Sequence, residues 1–343
     1  MNIERNILLK NLTTFKIGGL ANYFCKIKSL EELKQAVSFA KQNELPIFIL
    51  GGGSNVLISD YGFEGLVIKI ELKDILIEEK EKFIFIIAGA GESWDKIVKL
   101  SVESELYGIE NLSYIPGTVG GAAAGNIGAY GAEIKDTIES IEIFDTDTFE
   151  TLVLNKDECG FNYRDSIFKK RKGKNYIITK VCFKLLKKER INLLYKDVKI
   201  YFENKNNLSP TLEEVRKAIG EIRNKKFPNL VKYGTAGSFF KNPVISSKVA
   251  DNLKKKYPKI DIFEGKNGNK KISLAGLLDN IGLKGIRDGD VGTFENQPLV
   301  FVNYGNARAK EIKNFSEKII QKIFNKIKIK IFIEIIFVGD FKK

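Results

Sequence analysis

The sequence predicts an α+β chain with two major units, on three observations. Strand and helix patterns alternate through the first half, a polar Lys/Asn-rich stretch interrupts them at Lys187–Pro210, and a Ser/Gly loop, helices and further strands follow. Ser29 and Glu32 have the spacing of a capping box, and Leu30, Leu33, Val37 and Ala40 then fall on one apolar helical face. Pro46 ends that helix, and the apolar run Ile47–Leu50 reads as a buried strand leading straight into Gly51-Gly52-Gly53-Ser54-Asn55. Leu66–Ile70, Phe83–Ala88, Ile138–Phe144 and Tyr176–Leu185 read as further strands, and Glu92–Leu106 as an amphipathic helix. Pro210 marks another helix start, where Thr211 and Glu214 offer a second box and Val215, Ala218, Ile219 and Ile222 form the apolar face. A long helix is expected over Ala307–Phe324, then a final strand carrying Glu334 and ending at Val338. The expected organisation is residues 1–190 as one domain of two lobes, 191–210 as a linker or excursion, and 211–343 as a second domain.

Composition removes whole classes of chemistry. The 343 residues contain no histidine, which excludes Ser-His-Asp and Cys-His catalysis, histidine metal sites and imidazole acid–base work. Cys25, Cys159 and Cys182 are far apart and form no CxxC pair, the pattern of reduced thiols in a cytosolic protein, and no metal site is expected. The N-terminus has an early acidic residue and no apolar core of a signal peptide, and no apolar run is long enough to span a bilayer. A cytoplasmic location without membrane association is therefore expected. The net charge of +13 is spread along the chain and interleaved with 43 acidic residues, so it reads as solvated surface and not as a nucleic-acid footprint. A basic surface does favour polyanionic small molecules.

Two glycine-rich segments point to a ligand. Gly51–Asn55 follows a strand, where glycines let successive backbone N–H groups approach an anion. It is neither a Walker loop nor a Rossmann fingerprint, since GK[ST] and GxGxxG are both absent, and by itself it serves equally as a structural turn. The second segment contains Pro116-Gly117-Thr118-Val119-Gly120-Gly121 and Asn126-Ile127-Gly128-Ala129-Tyr130-Gly131. Two such loops in one α+β domain suit backbone wrapped around an extended cofactor, pyrophosphate included; a tight turn between buried elements is the plainer alternative.

Seven segments occur in an order that carries a resemblance: TTFKIGG (Thr13–Gly19), LGGGSNVLISDYGFEGLVI (Leu50–Ile68), GIENLSYIPGTVGGA (Gly108–Ala122), NIGAYGAEIKD (Asn126–Asp136), YRDSIFK (Tyr163–Lys169), AGSFFKNP (Ala236–Pro243) and SLAGLLDNIGLKG (Ser273–Gly285). Together they closely resemble the UDP-N-acetylenolpyruvoylglucosamine reductase family over nearly the whole chain. The resemblance implies a FAD-binding domain of the vanillyl-alcohol-oxidase (PCMH) type and a C-terminal α+β substrate-binding domain. It implies FAD held without a covalent tether, NADPH as hydride donor, and reduction of a UDP-linked enolpyruvyl ether to a lactyl ether. Covalent relatives tether the flavin through histidine or cysteine. This chain has no histidine and no cysteine in either glycine segment, which agrees.

The resemblance also implies site residues. Ser238 is the expected proton donor; a serine hydroxyl is a very weak acid, so the choice suits only a strongly basic carbanion or enolate. Without the resemblance it reads as a turn or helix-cap serine. Arg164 is expected to hold the substrate carboxylate with its planar fork of donors; the alternative is a surface pair with Asp165. Glu334, an acid among Phe332, Ile333, Ile335 and Ile336, is expensive to bury, so it lies either on an exposed face or in a functional site; the resemblance implies that it acts with the arginine on the intermediate. Cofactor contacts are expected from Gly51, Gly52, Gly53, Ser54, Asn55, Pro116, Gly117, Thr118, Gly120, Gly121, Asn126, Gly128, Ala129 and Tyr130. Substrate contacts are expected from Tyr163, Tyr195 of the longer family subtype, Lys226, Asn242 and Gln297. Where the family carries a second acid and an arginine around the last glutamate, this chain has Phe332 and Ile336. The expected partners are the UDP-sugar and NADPH, and the chain is expected to act as a monomer. Two rivals are a hydroxy-acid or alcohol oxidase of the same superfamily, which usually needs a histidine or tyrosine base, and a basic nucleic-acid-binding protein, which needs clustered Lys/Arg beside exposed aromatics.

Overall fold

A computed structural model describes residues 1–188 and 191–342. The chain divides into two compact units, the first formed by Met1–Ile7, Ala21–Gly52 and Glu64–Asn224, the second by Leu8–Leu20, Gly53–Phe63 and Lys225–Lys343. This differs from the linear division expected from composition. The divide falls within a helix and not at residue 210, and two short N-terminal segments belong with the C-terminal half.

Two larger sheets organise the first unit. One has the strand order Glu4–Leu8, Leu20–Ile27, Phe63–Ile70, Ile47–Leu50, its last pair parallel. The other is antiparallel, in the order Thr151–Asn155, Ile138–Asp145, Tyr176–Leu186, Phe83–Gly89, Ile75–Glu79. Helices α1 (Leu30–Gln42), α2 (Trp94–Glu103) and α3 (Val119–Gly125) contribute to their common core. Trp94 anchors it, fully buried with its indole N–H donated to the Leu112 carbonyl at 2.9 Å. The Thr211–Glu214 box forms, with bonds of 2.8 and 3.2 Å, whereas at α1 only half of it does: Ser29 Oγ accepts from Glu32 N–H, but the Glu32 carboxylate accepts from Lys28 N–H, one residue before the cap.

The expected excursion at Lys187–Pro210 is a linker only in part; Glu189 and Arg190 within it lie outside the described residues. The rest includes helix α4 (Lys196–Glu203), and α5 (Leu212–Lys226) follows. Val198 and Phe202 of α4 pack with Val215, Ala218, Ile219 and Ile222 of α5 around Tyr130. This small cluster keeps most of α5 in the first unit.

The second unit has its own core, to which Phe15, Ile17 and Leu57 contribute from the early segments, with α6 (Ser247–Lys256), α7 (Leu274–Asn280) and α8 (Ala309–Ile327). The reason is hydrogen bonding between residues far apart in sequence. Thr14 and Thr235 exchange backbone and hydroxyl bonds, and Asn303 donates to the Phe15 carbonyl at 3.2 Å. Val56–Ile58 pairs in parallel with the last strand, Ile336–Val338. That strand starts after Glu334, which lies in the segment leading into it and not on the strand as expected. Among the described residues, no helix is long and apolar enough to cross a membrane.

Candidate functional site

In the first unit the glycines lie backbone to backbone. A Cβ on Gly52 would stand 2.6 Å from Gly117 Cα, and one on Gly51 would stand 2.6 Å from Thr118 Oγ1. Only glycine lets the two turns approach this closely. The second turn is held from behind: Trp94 N–H donates to the Gly117 carbonyl, Val119 N–H to Glu92 and Gly120 N–H to Ala90, at 2.9–3.1 Å. Thr118 caps α3 by accepting from Gly121 N–H. Gly120 is a packing glycine, since a Cβ there would meet that of Ala90 at 2.8 Å, whereas Pro116 and Gly121 are less enclosed, Gly121 being exposed. Lys69 donates to the Gly51 carbonyl at 3.0 Å. A contact built from glycine backbone and the Thr118 hydroxyl fits the pyrophosphate of a dinucleotide.

The expected contact Asn126 is a strut. It is fully buried in a left-handed cap conformation (φ 43°), its amide donating to Glu133 and to the Asn162 carbonyl while its oxygen accepts from Lys135 N–H. Asn162 opens the tight turn that carries Tyr163 and Arg164. Arg164 itself is left-handed at φ 52°, and its guanidinium donates to the Gly128 carbonyl. Asp165, its neighbour, pairs with Lys170 at 2.9 Å. Arg164 is thus brought to the Gly128–Ala129–Tyr130 segment. Tyr195, the N-cap residue of α4, sets its ring edge-on against Tyr130 with centroids 5.3 Å apart. Asn111 ties this loop down, donating to the carbonyls of both Tyr130 and Asn192.

In the second unit, Ser238 lies on a segment flanked on both sides. It bridges Val300 on one side, where Phe239 N–H donates to the Leu299 carbonyl, and on the other Glu334 N–H donates to the Phe239 carbonyl at 2.8 Å. Phe240 bridges Ile333, continuing the pairing, and Phe239 and Phe240 are buried against Phe301. Ser238 and Glu334 therefore occupy neighbouring extended segments, both half-buried. Gly237, at φ 76°, supplies the left-handed turn that delivers Ser238. Gln297 opens the strand Gln297–Asn303 beside this segment. Asn242 uses its carboxamide oxygen to cap α7, accepting from Leu274 N–H at 2.9 Å. Gly53 is required by close backbone, since a Cβ would lie 2.1 Å from the Leu12 carbonyl oxygen, and the Asn55 carbonyl accepts from Ile336 N–H. Ser54 and half-buried Lys226 also belong to this unit. The two unusual neighbours of Glu334, Phe332 and Ile336, are 65% and 42% exposed.

Sequence reasoning missed Arg223, which is bonded to Tyr130; burial lowers its pKa and raises that of the Tyr130 phenol. It also missed Asp95 and Arg216. The signal was the i, i+4, i+7 spacing of Arg216, Gly220 and Arg223 on α5. The cysteines are free thiols; burial pushes Cys25 and Cys159 up to about 12, and Cys182 to about 11, far from a reactive thiolate. No cluster suited to a metal ion occurs among the described residues.

Comparison with known proteins decides the family. The FAD binding domain model matches residues 21–149, and the C-terminal domain model of UDP-N-acetylenolpyruvoylglucosamine reductase matches residues 229–338. The UDP-N-acetylenolpyruvoylglucosamine reductase of Flavobacterium johnsoniae is 40% identical over 98% of this chain and 99% of its own length. The chain belongs to the UDP-N-acetylenolpyruvoylglucosamine reductase family. The reductase of Amoebophilus asiaticus is 38% identical over 93% of this chain and 94% of its own. The crystal structure of the reductase from Thermus caldophilus matches 99% of this chain and 100% of that one with a TM-score of 0.69 at 26% identity. The expected fold class holds, a FAD-binding domain of the PCMH type with the family's C-terminal domain. As a member of this family the chain is an FAD-binding oxidoreductase of peptidoglycan precursor synthesis.

Proposed function

We propose that the chain reduces UDP-N-acetylglucosamine enolpyruvate to UDP-N-acetylmuramate at the expense of NADPH, with Ser238 as proton donor. The carrying observation is the pairing that sets Glu334 N–H on the Phe239 carbonyl, so that the proton donor and the acid sit on adjacent segments. FAD, when bound, would supply the hydride chemistry that no side chain can, with NADPH as the source and the enolpyruvyl methylene carbon as the acceptor. Gly51, Gly52, Gly117 and Thr118 would hold its pyrophosphate.

The Ser238 hydroxyl gives its proton to the carbon next to the methylene, completing the lactyl ether. Arg164 binds the substrate carboxylate and takes up charge that develops on the conjugated carbon. Glu334 acts with it by orienting polar groups and water around the same intermediate. Tyr163, Tyr195, Lys226, Asn242 and Gln297 hold the UDP-sugar, Asn242 through the amide nitrogen left after its oxygen caps α7. The protein acts in the cytoplasm as a monomer on these small molecules, without nucleic acid or membrane.

The purified protein is expected to be yellow and to oxidise NADPH only when the UDP-enolpyruvyl sugar is added. A colourless protein that takes up no FAD, or one that oxidises NADPH equally fast without the sugar, overturns the proposal.

A further inference from the structure

Tyr114 is an aromatic residue in the left-handed region, at φ 59°, and 46% of it is exposed. Neither burial nor turn chemistry accounts for a bulky residue in that conformation, and such outliers persist only where their surroundings impose them. Three residues of the first unit do so. Asp95, in the first turn of α2, accepts the Tyr114 N–H at 2.5 Å. Arg216 of α5 donates twice to the same carboxylate, both bonds 2.8 Å, and lays its guanidinium over the Tyr114 ring 4.2 Å from the centroid. The Arg216 side chain is only 11% exposed, so the pair is well shielded. One turn further along α5, Gly220 leaves the space the ring occupies; a Cβ there would stand 2.8 Å from ring Cε2.

The next two residues carry this constraint toward Gly117. Ile115 precedes a proline and is confined to extended backbone, and Pro116 has a fixed φ. The chain therefore has few free torsions between Tyr114 and Gly117, which touches Gly52. The other end of the turn is already tied to α2 through Trp94 and Gly117, so Asp95 and Trp94 hold both ends from one helix.

We infer that Asp95, Arg216 and Gly220 form a clamp that sets the Ile115–Thr118 turn through Tyr114 and thereby sets the affinity for FAD. They are positioning residues; none needs to touch the cofactor. The inference rests on the reading of that turn as part of the FAD phosphate cradle.

The test is titration of apoprotein with FAD, followed by quenching of flavin fluorescence, with apoprotein Tm measured in parallel. Gly220→Ala is expected to weaken FAD binding about tenfold by displacing the ring. Its apoprotein Tm should be unchanged or higher, because alanine is the better helix former. In a Tyr114→Gly background, where no ring remains to displace, the same alanine should change FAD affinity less than about twofold. Arg216→Met should weaken FAD by a similar factor, with Arg216→Lys, which keeps the charge but not the fork, intermediate. Wild-type FAD affinity in Gly220→Ala and Arg216→Met, or a Gly220→Ala effect that persists without the ring, overturns the clamp. Gly52→Ala separates the two levels. If it weakens FAD while the clamp variants do not, the clamp alone fails; if it too leaves FAD affinity intact, the phosphate-cradle reading falls and the clamp with it.

Discussion

In the first unit the candidate cofactor surface is made of backbone. Gly51 and Gly52 press against Thr118 and Gly117, and neither glycine has a side chain to offer. In the second unit the candidate proton donor and acid are side chains, Ser238 and Glu334, carried on neighbouring extended segments beside a phenylalanine cluster. The two surfaces should fail in opposite ways. A backbone surface cannot accept an added atom, yet has no functional group to delete. A side-chain surface tolerates a change of shape but not the loss of one hydroxyl.

Ser238→Ala is the strongest test of the second kind of failure. Removing a positioned general acid costs about two to four orders of magnitude, so sugar reduction should fall by that factor. Stopped-flow reduction of bound flavin by NADPH and the affinity for FAD should stay close to wild type. Equal loss in both half-reactions would make Ser238 a structural residue and erase the contrast.

The first kind of failure is smaller and should be recoverable. In Gly52→Ala the new methyl meets Gly117 backbone, and overpacking of about 1–3 kcal/mol corresponds to FAD affinity weakened about 5- to 150-fold. Turnover should return at saturating FAD, which no concentration of FAD can achieve for Ser238→Ala. Gly51→Ala meets the Thr118 hydroxyl, a side-chain atom that can turn aside, so its loss should be no more than about fivefold. An equal loss at both glycines would mean that the two turns do not depend on close backbone contact.

The same contrast explains which features are legible in the sequence. Helix starts are local: Thr211 and Glu214 form both bonds their spacing predicts, and Ser29 accepts from Glu32 N–H as expected of a cap. The glycine turns are local too, because each strained or crowded backbone position is marked by its own residue. The pairing of Glu334 with Phe239 is not. Nothing near either residue signals it, and only the resemblance carried by seven ordered segments brings Ser238 and Glu334 into one hypothesis. The division into units is illegible for a related reason: residues 8–20 and 53–63 join the second unit through bonds such as Thr14 to Thr235, between residues far apart in sequence. Asp95 and Arg216 escape notice because a charged pair on two separate helices looks, in sequence, like two solvated faces.

Asp95 also provides the finest test, since it is an ionic support beneath a backbone-built surface. Burial by itself would raise its carboxyl pKa, but the Arg216 fork and the Tyr114 N–H outweigh burial and hold the pKa below the ordinary aspartate value. A carboxyl depressed in the folded state contributes stability that is fully present above the unfolded pKa and is lost as pH falls through the folded one. Asp95→Asn removes that contribution. A partly buried, two-pronged pair is worth about 1 kcal/mol, so the apoprotein Tm should drop by about 2–4 °C near neutrality. The difference from wild type should be flat down to about pH 4, the ordinary aspartate range, and should narrow below it. FAD affinity should follow the same profile, whereas the Ser238→Ala defect, measured relative to wild type across neutral pH, should not. A Tm difference that stays constant into acid would show that Asp95 supports Tyr114 as a neutral hydrogen-bond acceptor. The first unit would then owe its cofactor surface to shape alone, with no ionic contribution.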